Sequence, residues 1–205
     1  KGIPESDIFV NYTPFGHSDW SKIVADVVSL GADGKKVGVI STINGDANIG
    51  FYKELAAAGI KADDIPGVAF SVGEEELSGL DTKNLVGHLA AWNYFQSAES
   101  DLNTDFIKQW KSTMGDKRVT NDPMEAHVIG FKMYVKAVEK AGTTDVNAVR
   151  KAMYGMKVPN LTGGMAEMLP NHHLSKPVLI GEIQADGQFD IISQTKEVPG
   201  AAWTD

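Results

Sequence analysis

The chain contains no cysteine in 205 residues. That absence removes disulfides, thiol nucleophiles and cysteine-based metal sites together, and it suits an oxidising or a reducing compartment equally well. Long apolar runs are missing too, and nothing approaches the roughly 18 residues that a membrane-spanning helix needs. Basic clusters are also absent: 19 Lys and Arg stand against 27 Asp and Glu, for a formal charge of −8. Nucleic-acid sites depend on clustered Lys and Arg, so no nucleic-acid partner is expected. The five histidines, His172-His173 included, lack H-E-x-x-H or similar ligand spacing, which leaves no metal motif. No G-x-S-x-G elbow occurs, and Ser18 between His17 and Asp19 reads as a helix cap, because a triad is a spatial arrangement and not a run of neighbours. Gly31-Ala32-Asp33-Gly34-Lys35-Lys36 lacks the spacing and the closing Ser or Thr of a phosphate loop, and it leads from helix to strand instead of strand to helix. No cofactor and no enzymatic activity are expected. Repeats and low-complexity stretches do not appear.

What is present is an ordinary globular chain with a 42% apolar fraction. Lys1-Gly2-Ile3-Pro4 has no apolar stretch after its basic start and so is not a signal peptide. It reads as the end of a helix–strand link, with Ile8 to Tyr12 as the next strand, and the chain is expected to begin mid-fold. A helix over about 19–30 places Trp20, Ile23, Val24, Val27 and Val28 on one face. Strand 37–43, helix 47–58, strand 67–72, a short Glu-led helix and a strand within 85–95 follow. This alternation predicts an α/β fold with a parallel sheet and right-handed crossovers.

The pattern changes near residue 96. Helices are expected over 104–114, 122–141 and 145–154, the middle one opened by Asp122-Pro123-Met124-Glu125 as a capping-box-like start. Val178 to Ile183 and Phe189 to Ile192 flank Asp186-Gly187 and read as a hairpin. Strands, then helices, then strands describe a chain that leaves one lobe and returns.

Two strand ends carry the candidate chemistry. Strand 37–40 runs into Ser41-Thr42-Ile43-Asn44-Gly45-Asp46, and Val68-Ala69-Phe70 runs into Ser71-Val72-Gly73-Glu74-Glu75-Glu76. Ligands of open parallel sheets bind outside such carboxyl ends. Acids in a first helical turn also favour the helix electrostatically, so capping and ligand binding are both open for the Glu cluster. Trp92-Asn93-Tyr94-Phe95 is equally open: core packing, or flat walls with hydrogen-bond donors for a small polar ligand.

Several runs resemble the urea-binding proteins of ABC transporters. They are Tyr12-Thr13-Pro14-Phe15-Gly16-His17-Ser18-Asp19, Ser41-Thr42-Ile43-Asn44-Gly45-Asp46, Phe51-Tyr52-Lys53-Glu54-Leu55 and Ala69-Phe70-Ser71-Val72-Gly73-Glu74-Glu75-Glu76-Leu77. Val86 to Phe95, Lys117 to Ala126, Asn171-His172-His173-Leu174 and Lys176-Pro177-Val178 continue the match in the same order. The resemblance extends, more distantly, to amide sensors and branched-chain amino-acid binding proteins.

The resemblance implies a type I periplasmic binding protein, with Rossmann-like three-layer α/β lobes closing on a ligand. It assigns 1–88 to the carboxyl-terminal lobe, 89–173 to a crossover and helices packing on the amino-terminal lobe, and 174–205 to return strands. It also implies that the amino-terminal lobe and the first strand–helix unit of the second lobe are absent from this sequence. The implied function is extracytoplasmic, periplasmic capture of urea or a short-chain amide for ABC permease subunits. The alternative is an amide- or amino-acid-sensing regulator on the same fold; an amidohydrolase would need a nucleophile or metal set that is not visible. The ligand residues expected on chemical grounds are Ser41, Thr42, Asn44, Ser71, Gly73, Glu74, Glu75, Trp92 and Tyr94. Among the acids, Glu74 or Glu75 is expected at the ligand and Glu76 in solvent. With half the cleft missing, this chain alone is expected to bind urea weakly or not at all.

Overall fold

A computed structural model describes residues 2–32 and 34–201. Lys1 and Asp33, which entered the reading of the first residues and of the glycine-rich link, lie outside the described residues.

The helix expected at the start is α1 (Ser21–Gly31), and β1 (Val39–Ser41), α2 (Ala47–Ala57), β2 (Gly67–Ala69), α3 (Glu74–Leu77) and β3 (Leu89–Trp92) follow in alternation. β1, β2 and β3 pair in parallel, in that spatial order. Beyond β3 the sheet changes direction: β7 (Leu179–Ile183) pairs antiparallel with β3, and β8 (Phe189–Gln194) antiparallel with β7. The five-stranded sheet is therefore mixed, because its last two strands form the hairpin turned at Asp186-Gly187, where Gly187 has φ 79°.

One face of this sheet is covered. Trp20 and Val24 of α1 and its entry, and Phe51, Tyr52 and Leu55 of α2, pack with Ala69, Ala90, Leu179, Ile183 and Phe189 in one buried cluster. Each large side chain so buried contributes about 1.5–3 kcal/mol. The other face is open at β1 and β2, where Ile40 is 77% and Phe70 48% exposed. The second helical layer of the expected three-layer lobe does not cover this edge.

The segment Ile8 to Tyr12 forms no strand. Its β-prone residues find no partner and stand in solvent, Tyr12 at 94% exposure. A strand's stability is cross-strand pairing, and composition alone does not supply the neighbour.

From β3 the chain crosses to a second body. α4 (Asp101–Met114), α5 (Asp122–Ala141) and α6 (Val146–Met153) lead to a three-stranded antiparallel sheet of β4 (Lys157–Pro159), β5 (Met165–Met168) and β6 (Leu174–Ser175). Ile129 and Met133 of α5 pack with Val158 and Ala166 in its core. The chain returns through Lys176 and Pro177 into β7. Past the expected divisions at 88/89 and 173/174, β3 pairs within the large sheet and β6 within the small one. The small sheet had no clear signal in sequence, since its strands are only two to four residues long.

α5 begins where expected but is capped differently. Asn121, not Asp122, is the cap, its Oδ1 accepting from the Met124 N–H at 3.2 Å. Glu125 does not fold back onto that turn; it is fully buried and pairs with Lys176.

Candidate functional site

The carboxyl ends of β1, β2 and β3 meet along one edge of the large sheet. The residue that joins the first two is Asn48, in the first turn of α2 and fully buried. Its Nδ2 donates to the Ile43 carbonyl at 2.8 Å and to the Ser71 carbonyl at 3.1 Å. Ser71 Oγ donates to the same Ile43 carbonyl, and Ser41 Oγ accepts from the Ile43 N–H at 3.3 Å. The two strand-end turns are thus one hydrogen-bonded unit. Asn48 Oδ1 has no partner in it.

Ser41 and Ser71 are therefore brought together, but their hydroxyls are largely spent on the backbone. Thr42 and Asn44 lie exposed on the rim, the Asn44 side chain reaching back only to the Thr42 carbonyl at 3.4 Å. Gly73 is buried against Trp92: a Cβ there would meet the Trp92 ring at 3.3 Å and Asn121 at 3.5 Å. A side chain at position 73 would wedge the end of β2 from the indole. Trp92 itself is partly exposed and rests on the main core.

The three acids part company. Glu76, expected in solvent, is half-buried and accepts the Gly73 N–H at 2.9 Å, tying the helix start to its own third residue. Burial raises its pKa, and Asp46 of the neighbouring turn adds to the effect. Glu75 points outward, paired with Arg118 at 3.3 Å with both side chains substantially exposed. Such a pair contributes about 0–1 kcal/mol. Glu74 points inward and is 1% exposed. Its Oε1 accepts the Gln96 N–H at 2.6 Å and its Oε2 has no partner. Burial pushes its pKa up to about 8, opposed by the Gln96 bond and reinforced by Glu76 and Asp122.

Tyr94 is not a wall of the edge. It is wholly buried, and its hydroxyl bonds to Asn103 Oδ1 and to Thr120 Oγ1, both at 2.7 Å. Its ring sits with Ala98 and Leu161 in a small cluster at the joint between the two bodies. Burial raises the pKa of this phenol. Behind it, Asp122 Oδ2 accepts the Asn93 N–H at 3.0 Å, and the Asn93 amide donates to the Pro177 carbonyl at 2.7 Å. The outgoing and returning crossings are linked there. Burial pushes Asp122 up to about 6, although Lys176 pulls in the other direction.

The groups that sequence reasoning missed are Asn48, Gln96 and Asn121. Asn48 lies two residues beyond Asp46 and resembles any polar residue in a first helical turn. Gln96 has no motif around it at all. Among the described residues, no three His, Asp or Glu side chains converge as a metal site. No helix among them is long and apolar enough to cross a membrane.

This architecture is an α/β lobe with a polar strand-end edge and two crossings to a second body. Residues 1–205 match the family model described as "Periplasmic binding protein domain". The chain belongs to that family. Its fold is similar to an ABC transporter solute-binding protein from Rhodopseudomonas palustris solved with 4-hydroxybenzoate, at TM-score 0.77 and 21% identity over 91% of this chain and 51% of that one. An amino acid ABC transporter substrate-binding protein from Pseudomonas fluorescens gives TM-score 0.74 at 18% identity, covering 92% of this chain and 51% of that one. A leucine-binding protein from Thermotoga maritima gives 0.67 at 16% identity, covering 88% and 49%. Among curated proteins, "Limonene hydroxylase" of Geobacillus stearothermophilus is 30% identical over 118 residues, which is 58% of this chain and 22% of that protein. The chain thus spans about half the length of the solved structures it resembles, and about a fifth of that curated relative.

Proposed function

We propose that the chain is part of an extracytoplasmic solute-binding protein that delivers urea, or a short-chain amide, to the permease subunits of an ABC transporter. The observation that carries the reading is the hydrogen-bonded union of two strand-end turns through Asn48, beside the Gly73–Trp92 contact. It makes a stiff polar ledge with an indole at one end, at the position where open α/β sheets hold small ligands. Family membership and the solute-binding names of the similar structures support the transport role.

Urea offers one acceptor and two amino groups, and leaving any of them unpaired in a closed site costs about 1–3 kcal/mol. On this ledge the Thr42 hydroxyl and the Asn44 amide supply donors from the rim. Glu76, with Asp46 nearby, supplies acceptors; Trp92 supplies the flat wall. Glu74 supports the ledge from beneath, while Glu75 and Tyr94 lie outside it. The acid assigned to the solute is therefore Glu76.

Calorimetric titration of the product of the complete reading frame with urea, acetamide, leucine and 4-hydroxybenzoate tests this reading. Binding of the amides with the other two inert is the expected outcome. Binding of leucine or the aromatic acid in their place would sink the amide assignment, and ammonia release from urea would move the protein to an enzyme class.

A further inference from the structure

Three carboxyls are buried around the segment that crosses between the two bodies: Glu74 of α3 at 1% exposure, Asp122 at 7% and Glu125 at 0%. One buried ammonium accompanies them among the described residues, that of Lys176, which is bound to Glu125 and within the field of Asp122. An unpaired carboxylate withdrawn from water costs several kcal/mol, so three acids cannot all ionise around one cation. At least one of them retains a proton for as long as the cluster stays dry.

The geometry identifies which one. Asp122 is within the field of Lys176 as well as of Glu125 and Glu74. Glu74 faces only Glu76 on its own helix, Asp122 from α5 and the neutral Tyr94 phenol from the crossing segment, with no cation among them. Its Oε2 is out of reach of water and has no partner, whereas its Oε1 holds Gln96. Across the segment, Asp122 holds Asn93. Residues 93–96 are therefore gripped by one acid from α3 and another from α5.

We propose that Glu74 is a proton-loaded latch on the crossing segment. While it is neutral, residues 93–96 are clamped between α3 and α5. When it ionises, the Gln96 bond strengthens but does not offset a dry, unpartnered oxygen, so the carboxyl turns outward to water, gives up that bond and lets the crossing segment loosen. Because burial places this ionisation at about pH 8, the latch is closed through neutrality and opens on the alkaline side. The latch involves no solute and stands apart from the solute-binding reading.

The test is amide hydrogen exchange of the 205-residue chain, read by NMR at Gln96 between about pH 6.5 and about 9 and corrected for intrinsic base catalysis. The expected result is a loss of protection at Gln96 of about tenfold. Met133 and Ala137 inside α5 should keep theirs, and Glu74→Gln should hold Gln96 level across the range. Equal pH dependence in the two proteins would overturn the latch, as would a parallel loss at Met133 and Ala137, which would mean global opening. A carboxyl-carbon titration of Glu74 in the unmodified chain needs no variant: a midpoint near 8 supports the latch, and one in the ordinary carboxylate range overturns it.

Discussion

Gln96 and Glu74 are joined by a 2.6 Å hydrogen bond from the Gln96 N–H to Glu74 Oε1, and Gln96 then binds three more elements. Its Oε1 accepts from the Thr120 N–H at 2.8 Å, its Nε2 donates to Gln188 Oε1 at 2.9 Å, and its carbonyl accepts from Asn103 Nδ2 at 2.9 Å. α3, the loop before α5, the β7–β8 hairpin and α4 are all tied to this one residue. Gln96→Ala leaves the buried Thr120 N–H and the Gln188 amide unpaired. We expect a loss of about 1–3 kcal/mol in urea-free chemical denaturation with guanidinium. A change under about 0.5 kcal/mol would show that water replaces the side chain without cost.

The buried acids set the pH dependence of stability. Glu74 and Asp122 have folded-state pKa values raised to about 8 and about 6 from 4.5 and 3.8. A raised acid binds more protons folded than unfolded, so its contribution is full below the unfolded value and is lost as pH rises through the folded one. Stability should therefore fall from about pH 4.5 to about 8 on account of Glu74, with the Asp122 share gone by about pH 6. Glu74→Gln should flatten the upper part of this decline by about 1–3 kcal/mol, measured as Tm against pH. A slope between pH 6 and 8 identical in both proteins would contradict the assignment.

Local signals mark the helices well and their partners poorly. α5 was legible because Pro123 near its start, a 20-residue periodic run and Gly142 at φ 65° all act within one element. Ile8 to Tyr12 has strand composition but forms no strand, because β-prone residues report willingness to pair and not the presence of a neighbour. The candidate edge was legible from its two polar turns, since strand ends and Gly-containing turns are local features. The division of labour among Glu74, Glu75 and Glu76 was not. It depends on Gln96, 22 residues away from Glu74, and on Arg118, 43 residues away from Glu75. Tyr94 was placed on the edge because it follows a strand, but its hydroxyl is claimed by Asn103 and Thr120 in the interior.

Lys176 is the cation that permits Glu125 to be buried. Lys176→Met keeps the volume and removes the charge, leaving the buried Glu125 carboxyl without its partner. The expected cost is about 3–5 kcal/mol by guanidinium denaturation. The double variant with Glu125→Gln should recover most of that loss, because the penalty comes from the stranded charge. Failure of the second change to recover stability would show that Lys176 contributes through the packing of its stem instead.

Gly181 sits where the register of β7 against β8 shifts. A Cβ there would lie 2.8 Å from Phe95 Cε2 and 2.9 Å from Phe189 Cδ1. Those rings pack on each other, tilted by 30° at a centroid distance of 4.3 Å, so neither can move aside freely. Gly181→Ala should cost about 1–3 kcal/mol through overpacking. Near-ultraviolet circular dichroism should change with it, because the Phe95–Phe189 pair must shift. Unchanged stability would mean that the strand relaxes and absorbs the methyl group.

Asn48 is scaffold to the proposed ledge. Its amide joins the Ile43 and Ser71 carbonyls from beneath the ledge, so it is assigned a positioning role and no direct contact with solute. Asn48→Ala removes two donors from carbonyls that have other partners or partial access to water, while it also removes the unpaired Oδ1. The two effects oppose each other, and we expect a net destabilisation of about 1 kcal/mol. The larger consequence should be mobility: the ends of β1 and β2 would lose their link, and amide exchange at residues 43 and 71 should quicken while that at Leu179 and Ile183 stays unchanged. In the complete protein, solute affinity should fall by about tenfold through lost preorganisation. Faster exchange at the two turns without any fall in affinity would place the solute elsewhere than on this ledge.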